Sequence, residues 1–175
     1  MEPRIIEQAF LDAGDRRADA LLFVLREADN RALRDRLEER ALAARKKKQY
    51  AQALVYFRLL TRDPACAADV RLEQAACALK LSGHDLAADA RSGDPALEQI
   101  ARLVNSHEAE ACVFVQRAKW LDAGDLFYLG FHFAEKDRRE KEFGGDVLRL
   151  LIKRSPRSKL ARDARSKLER EGFDS

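Results

Sequence analysis

Apolar residues recur along almost the whole of this chain at the spacing of an α-helix. One stripe occupies positions i, i+3, i+4 and i+7 of a helix and consists of Leu97, Ile100, Ala101 and Val104. A similar stripe near the C-terminal end consists of Leu160, Ala161, Ala164 and Leu168. A chain with this period is expected to form helices that bury one face. Only 8 Gly and 4 Pro occur among the 175 residues, and no long run of alternating β-branched residues is present. The sequence therefore predicts an all-α protein.

Capping and turn residues divide the chain into helices. Asp94 followed by Pro95 predicts a helix start, with an N-cap and a proline at the first helical position. The pentapeptide LDAGD occurs at 11–15 and at 121–125. In both copies the glycine predicts the end of one helix and the final aspartate the N-cap of the next. Ser106 predicts a further N-cap.

These signals predict about eleven helices joined by short connections. Their expected positions are 4–13, 16–28, 31–47, 50–62, 68–82, 85–92, 95–105, 107–121, 125–136, 140–154 and 158–171. Short connections favour antiparallel hairpins of consecutive helices. No low-complexity linker interrupts the sequence, so we expect one helical domain over 1–175, with its most irregular stretch at 83–94.

The segment LFYLGFHFA at 126–134 is the one place where a strand competes with a helix, because aromatic residues favour sheets. A single strand would have no partner elsewhere in the chain. We therefore predict a helix that is apolar on all sides and buried between its neighbours.

Charge and cysteine content narrow the class of protein. The 33 basic and 30 acidic residues are interspersed and give a net charge of +3, which is typical of a solvated helical surface. Cys66, Cys77 and Cys112 form no CxxC pair, and we expect buried thiols in a reducing compartment. No signal peptide and no stretch long enough to span a membrane is evident. The sequence predicts a cytoplasmic protein with no membrane partner.

The chain also contains an internal repeat. Six residues align with six others at an offset of 35 and keep their chemical type: Leu37, Glu38, Ala41, Ala44, Arg45 and Ala53 correspond to Leu72, Glu73, Ala76, Leu79, Lys80 and Ala88. A period of this length is typical of stacked helical hairpins, in which no hairpin can bury its apolar face alone.

Two stretches resemble the tetratricopeptide repeat in the spacing of their large, small and aromatic residues. The first comprises Leu37, Ala41, Ala44, Tyr50, Ala53, Phe57, Leu60 and Pro64, and the second Leu126, Leu129, Gly130, Phe133, Gly144, Leu148, Leu151 and Pro156. Between them, a degenerate unit has Ser92 at the aromatic position of its second helix.

The resemblance implies a right-handed solenoid of stacked antiparallel hairpins. Its units would lie at about 31–65, 68–92 and 123–156, with a C-terminal capping helix at 158–171. The rest of the chain fits HEAT-like or irregular hairpins equally well. Small residues at Ala41, Ala76 and Gly130 are expected where the two helices of a hairpin approach closely.

The sequence contains no motif of a known catalytic site. It lacks a Gly-rich phosphate loop and the HExxH and GxSxG patterns, and His84, His107 and His132 have no second ligand at metal-binding spacing. We expect His84 and His107 to be exposed near helix ends and His132 to be buried. No catalytic residue, metal site or cofactor is predicted, and the chain is interpreted as a non-enzymatic protein.

The resemblance implies a protein-binding scaffold or adaptor that uses the groove of the helical array. The groove-facing positions would be occupied by Glu38, Leu42, Arg45, Glu73, Cys77 and Lys80. In this arrangement Glu38 lies beside Glu73, and Arg45 lies beside Lys80. The exposed Arg45 and Lys80 would bind carboxylates of a peptide, and Leu42 and Cys77 would form the apolar surface between the two rows. The partner is a protein or peptide of unknown identity.

The alternative is a nucleic-acid-associated helical-repeat protein that uses basic stretches at 45–48 and 153–170. The first of these stretches also suits the C-terminal end of a helix, where positive charges are favourable. The stretch at 153–170 contains no aromatic residue on which a base could stack.

Overall fold

The computed structural model describes residues 31–63, 66–84 and 93–173, and within these ranges the chain forms eight helices and no strand. The helices are α1 (Arg31–Lys46), α2 (Tyr50–Leu60), α3 (Ala68–Leu81), α4 (Pro95–Asn105), α5 (Ala111–Arg117), α6 (Ala123–Ala134), α7 (Arg138–Arg154) and α8 (Lys159–Arg170). The all-α prediction is confirmed. The helices predicted at 4–13, 16–28 and 85–92 lie outside the described residues.

The chain divides into two compact units, and the division falls between Leu81 and Ser82. In the first unit, α2 packs against both α1 and α3. Ala41 and Ala53 are completely buried, so that small side chains lie in the core of this unit. Phe57 of α2 is also completely buried. An ion pair of 3.3 Å between Arg34 of α1 and Asp63, which follows α2, also connects these two parts of the unit.

The first described helix of the second unit is α4, and its start agrees with the prediction. The Asp94 side chain accepts a hydrogen bond of 2.8 Å from the Ala96 amide, and Pro95 is the first helical residue. The predicted N-cap at Ser106 is wrong: Ser106 is instead the C-cap of α4. The next helix, α5, begins only at Ala111, because the chain makes a turn after Ser106 in which Glu108 and Ala109 both donate to the Leu103 carbonyl.

The start of α6 also differs from the prediction. Asp122, not Asp125, is the N-cap, and its side chain accepts hydrogen bonds from the amides of Gly124 and Asp125. The Asp125 carboxylate completes a capping box by accepting from the Asp122 amide at 2.7 Å. Gly124 therefore lies in the first turn of α6 and ends no helix. The segment 126–134 is helical, as predicted.

Two glycines bring α6 and α7 into close contact. A Cβ atom on Gly130 would lie 2.7 Å from Leu148 Cδ2, and one on Gly144 would lie 2.5 Å from the carbonyl carbon of Phe133. The helix α8 packs on both α6 and α7. Its completely buried alanines, Ala161 and Ala164, lie on the apolar stripe that the sequence predicted. These three helices form the centre of the second unit, against which α4 and α5 also pack through α7.

Candidate functional site

The six predicted groove residues all lie in the first unit, on α1 and α3, and the structure combines them differently from the prediction. Arg45 Nε lies 3.2 Å from Glu73 Oε2, with side chains 16% and 3% exposed. The expectation that Arg45 is exposed beside Lys80 is therefore wrong: Arg45 is held in a largely buried ion pair between α1 and α3. Lys80 is itself partly buried. Removing charges from solvent is costly unless they are paired, and this explains why these two opposite charges meet.

Cys77 is completely buried beside this pair. The pKa of its thiol is raised to about 12, mainly by burial and also by the neighbouring Glu73 carboxylate, while Arg45 acts to lower it. A neutral thiol with no exposed surface cannot form the floor of an open groove. Glu38 and Leu42 are partly exposed, and their role in binding stays a prediction.

The other two cysteines differ from each other. Cys66 is partly exposed, and burial is the main cause that raises the pKa of its thiol. Cys112 is exposed, so the prediction of a buried thiol is wrong there. The reason is that Cys112 lies in the first turn of the short helix α5, whose buried side chains are Ala111 and Phe114.

The sequence interpretation did not single out two further candidate residues in the second unit, although a signal for them was present. In the first unit the predicted positions lie three residues before and one residue after the small residue Ala41. The same offsets from Gly130 lead to Phe127 and Phe131. Both side chains are partly exposed, and their ring centroids are 5.6 Å apart. Aromatic side chains are enriched at protein interfaces, so this partly exposed pair is a candidate for contact with a partner.

Phe131 lines a cleft of about 500 Å³ between α4 and α6. Its apolar wall contains Leu97 and Ala101 from α4. The polar lining consists of Asp94, Glu98, His132, Glu135, Lys136 and Glu140. We call this cleft the α4–α6 groove. It has the size of a site for a few side chains, and its charged groups are predominantly acidic.

A second cleft, of about 560 Å³, lies between α5 and α7 and includes Cys112. Its charged lining contains both signs and consists of Glu110, Arg139, Glu142, Asp146 and Arg149. Asp146 and Arg149 already pair with each other at 2.9 Å. This cleft therefore offers less uncompensated charge than the α4–α6 groove.

A small polar cluster joins the start of the second unit to α6. His84 Nε2 lies 3.1 Å from Oδ1 of the completely buried Asp125, and the His84 ring lies 5.0 Å from that of Tyr128. Tyr128 in turn donates a hydrogen bond of 2.9 Å to Asp94.

His84 and His132 are both partly exposed and His107 is exposed, so the prediction of a buried His132 is wrong. Within the described ranges, no three His, Cys, Asp or Glu side chains are grouped so as to hold a metal ion.

The basic stretches of the alternative interpretation are partly occupied by internal ion pairs. Arg45 pairs with Glu73. Lys167, in the C-terminal stretch, is 1% exposed and pairs with Glu135 and, at 2.8 Å, with Glu171. Among the helices that the structure describes, none is both long and apolar enough to cross a membrane.

No family model, no curated protein and no solved structure matches this chain.

Proposed function

We propose that this chain is a non-catalytic protein-binding scaffold made of tetratricopeptide-like hairpins, and that the α4–α6 groove holds a segment of its partner. The observation that carries the proposal is the partly exposed Phe131 in this groove, with the partly exposed Phe127 one turn earlier on α6 and the two ring centroids 5.6 Å apart. Aromatic anchors of this kind supply much of the binding energy at protein interfaces.

The hairpin part of the proposal is supported by burial at the positions that carry the resemblance. In the second unit the large residues are completely buried; they are Leu126, Leu129, Phe133, Leu148 and Leu151. The small residues Gly130 and Gly144 lie where α6 and α7 approach most closely. The helix α8 covers the α6–α7 hairpin, as a capping helix of a repeat array would.

Binding to nucleic acid through the stretches at 45–48 and 153–170 remains the alternative function. It has less support, because Arg45 and Lys167 are engaged in ion pairs within the chain. A steep fall of affinity for generic RNA with rising salt would favour this alternative.

The test is selection of peptides from an unbiased displayed library on the purified chain. We expect enriched peptides to lose at least about tenfold in affinity with Phe127→Ala or Phe131→Leu, because a buried aromatic anchor is worth about 2 kcal/mol or more. The control is Val113→Ala, which removes an apolar side chain that is 43% exposed on α5. Circular dichroism must show that each variant is folded.

Two results would contradict the proposal. One is a library that yields no binder above the level of an unrelated helical protein. The other is a set of enriched peptides whose affinity falls with Val113→Ala and not with the two phenylalanine variants.

A further inference from the structure

We infer that the segment held by the α4–α6 groove is basic, with lysine or arginine side chains that enter between the acidic residues of the groove. This inference rests on the proposed function and adds the chemistry of the partner. It follows from the charge of the groove and from the way in which the chain already binds one of its own lysines there.

The groove is lined by four carboxylates, those of Asp94, Glu98, Glu135 and Glu140, and by the ammonium group of Lys136. Lys167 adds a second positive charge through its pair with Glu135. Lys167 also pairs with Glu171, and Arg170 lies 5.8 Å from the centroid of the Phe131 ring. With these groups included, five acidic and three basic side chains leave a net negative charge.

Glu135 is already paired with Lys167, whereas the hydrogen bond of Glu140 comes from a neutral group. Glu140 accepts a bond of 2.7 Å from the amide of Asn105. Asp94 accepts hydrogen bonds from the Ala96 amide and the Tyr128 hydroxyl. A cation is the electrostatic complement of this acidic lining.

Lys167 demonstrates how this surface receives a cation. Its Nζ lies 4.0 Å from the centroid of the Phe131 ring, and it pairs with Glu135. Both Phe131 and Glu135 also line the groove. An aromatic face next to a carboxylate attracts a lysine or arginine even when water is removed, and the same cleft also contains Glu98 and Glu140.

An acidic segment is disfavoured by the same charges, since it would place further carboxylates among four existing ones. Like charges brought together at an interface weaken binding and suppress wrong partners. A purely apolar segment would leave the groove carboxylates desolvated without a partner. The basic segment is the one occupant that satisfies both the apolar wall and the acidic lining.

The test uses the full chain, isotope-labelled for NMR, and three short peptides that differ only at alternate positions, where they carry lysine, glutamine or glutamate. Leucine and alanine occupy the other positions. We expect the lysine peptide to shift the amide signals of Ala101, His132 and Lys136, and to do so less at high salt, because exposed charges are screened. The glutamate peptide should leave these signals unchanged.

Paired variants separate a local effect from one of net charge. Glu98→Gln with Glu140→Gln should weaken binding of the lysine peptide at least about threefold, as expected for the loss of two partly exposed ion pairs. The control is Glu142→Gln with Asp146→Asn, which removes the same charge from the α5–α7 cleft and should change affinity less than about 1.5-fold.

Equal losses in the two double variants would overturn the inference, since they would indicate attraction by net charge alone. Signal shifts outside the groove, or binding of the glutamate peptide as tight as that of the lysine peptide, would also overturn it. If library-selected peptides still require Phe127 while the Glu98 and Glu140 variants have no effect, the scaffold function stands and the basic partner does not.

Discussion

Replacing Gly144 by alanine provides the sharpest test of the α6–α7 packing. In an unobstructed helix this change is stabilising by about 1 kcal/mol, because glycine is a poor helix former. At Gly144, however, the new Cβ would lie 2.5 Å from the carbonyl carbon of Phe133 and closer still to the Ala134 amide nitrogen. Both atoms belong to the backbone of α6, so no side-chain rotation can relieve the contact.

The magnitude follows from the displacement that is needed. An ordinary contact at the edge of the permitted range is 3.4 Å, so the contact with the Phe133 carbonyl carbon alone requires the two helices to separate by about 3.4 − 2.5 = 0.9 Å, and the Ala134 nitrogen requires slightly more. A gap of this width removes about a quarter to a half of the attraction between atoms in contact across it. Overpacking of this kind costs about 3 kcal/mol at the upper end of its usual range. After the helix-propensity gain, the free energy of unfolding should fall by about 2 kcal/mol.

Urea unfolding followed by the fluorescence of Trp120 measures this change, because the single tryptophan of the chain lies in the second unit. The matched control is Gly145→Ala on the same helix. There the three atoms nearest to the new Cβ all belong to the ring of Phe173, the closest at 2.5 Å, and a side chain can rotate away where a backbone cannot. We expect Gly145→Ala to change stability by less than about 1 kcal/mol. A stabilising Gly144→Ala, or equal effects of the two variants, would refute the packing argument.

Two further predictions concern the first unit. Arg45→Glu should lower the free energy of unfolding by about 3 kcal/mol, because it leaves the buried Glu73 carboxylate without its cation; urea unfolding checks this, and a loss no larger than that of the exposed Lys46→Glu would contradict it. The pKa of the Cys77 thiol is about 12 in the folded protein and near 8.5 in the unfolded chain, so the unfolded chain releases the proton first as pH rises. The contribution of the neutral thiol to the free energy of unfolding is therefore complete below about pH 8.5 and is lost as pH rises from there through about 12. Compared with Cys77→Ala, the native protein should therefore lose stability more steeply above about pH 9, by at most about 1.4 kcal/mol per pH unit, and equal slopes would refute the assignment.

The prediction from sequence was most accurate where local signals agree with one another. The helix α4 was placed at its correct bounds because Asp94, Pro95 and a regular apolar stripe all indicate the same start and face. The helix over 126–134 was also predicted correctly, since its aromatic residues had no strand to pair with. The start of α6 was misplaced because Asp122 and Asp125 are both good N-caps in sequence, and only the reciprocal hydrogen bonds of the capping box distinguish them.

The candidate site was predicted less well, because exposure depends on neighbours that are distant in sequence. The helical period groups Glu38, Leu42 and Arg45 on one face of α1, but it does not reveal what covers that face. Arg45 was expected in a groove and is paired with Glu73 of α3. Phe127 and Phe131 were assigned to the core by their apolar character, yet both are partly exposed.

The sequence alone determined the helical class of this protein, the approximate bounds of its described helices and the importance of its small residues, because each depends on spacing within a few turns of one helix. Tertiary structure decided which charges meet and which aromatic side chains remain open to solvent. Those outcomes depend on the free energy of desolvating a group against a particular neighbour. The pairing of Lys167 with Glu135 across 32 residues is one example, and the acidic lining of the α4–α6 groove is another.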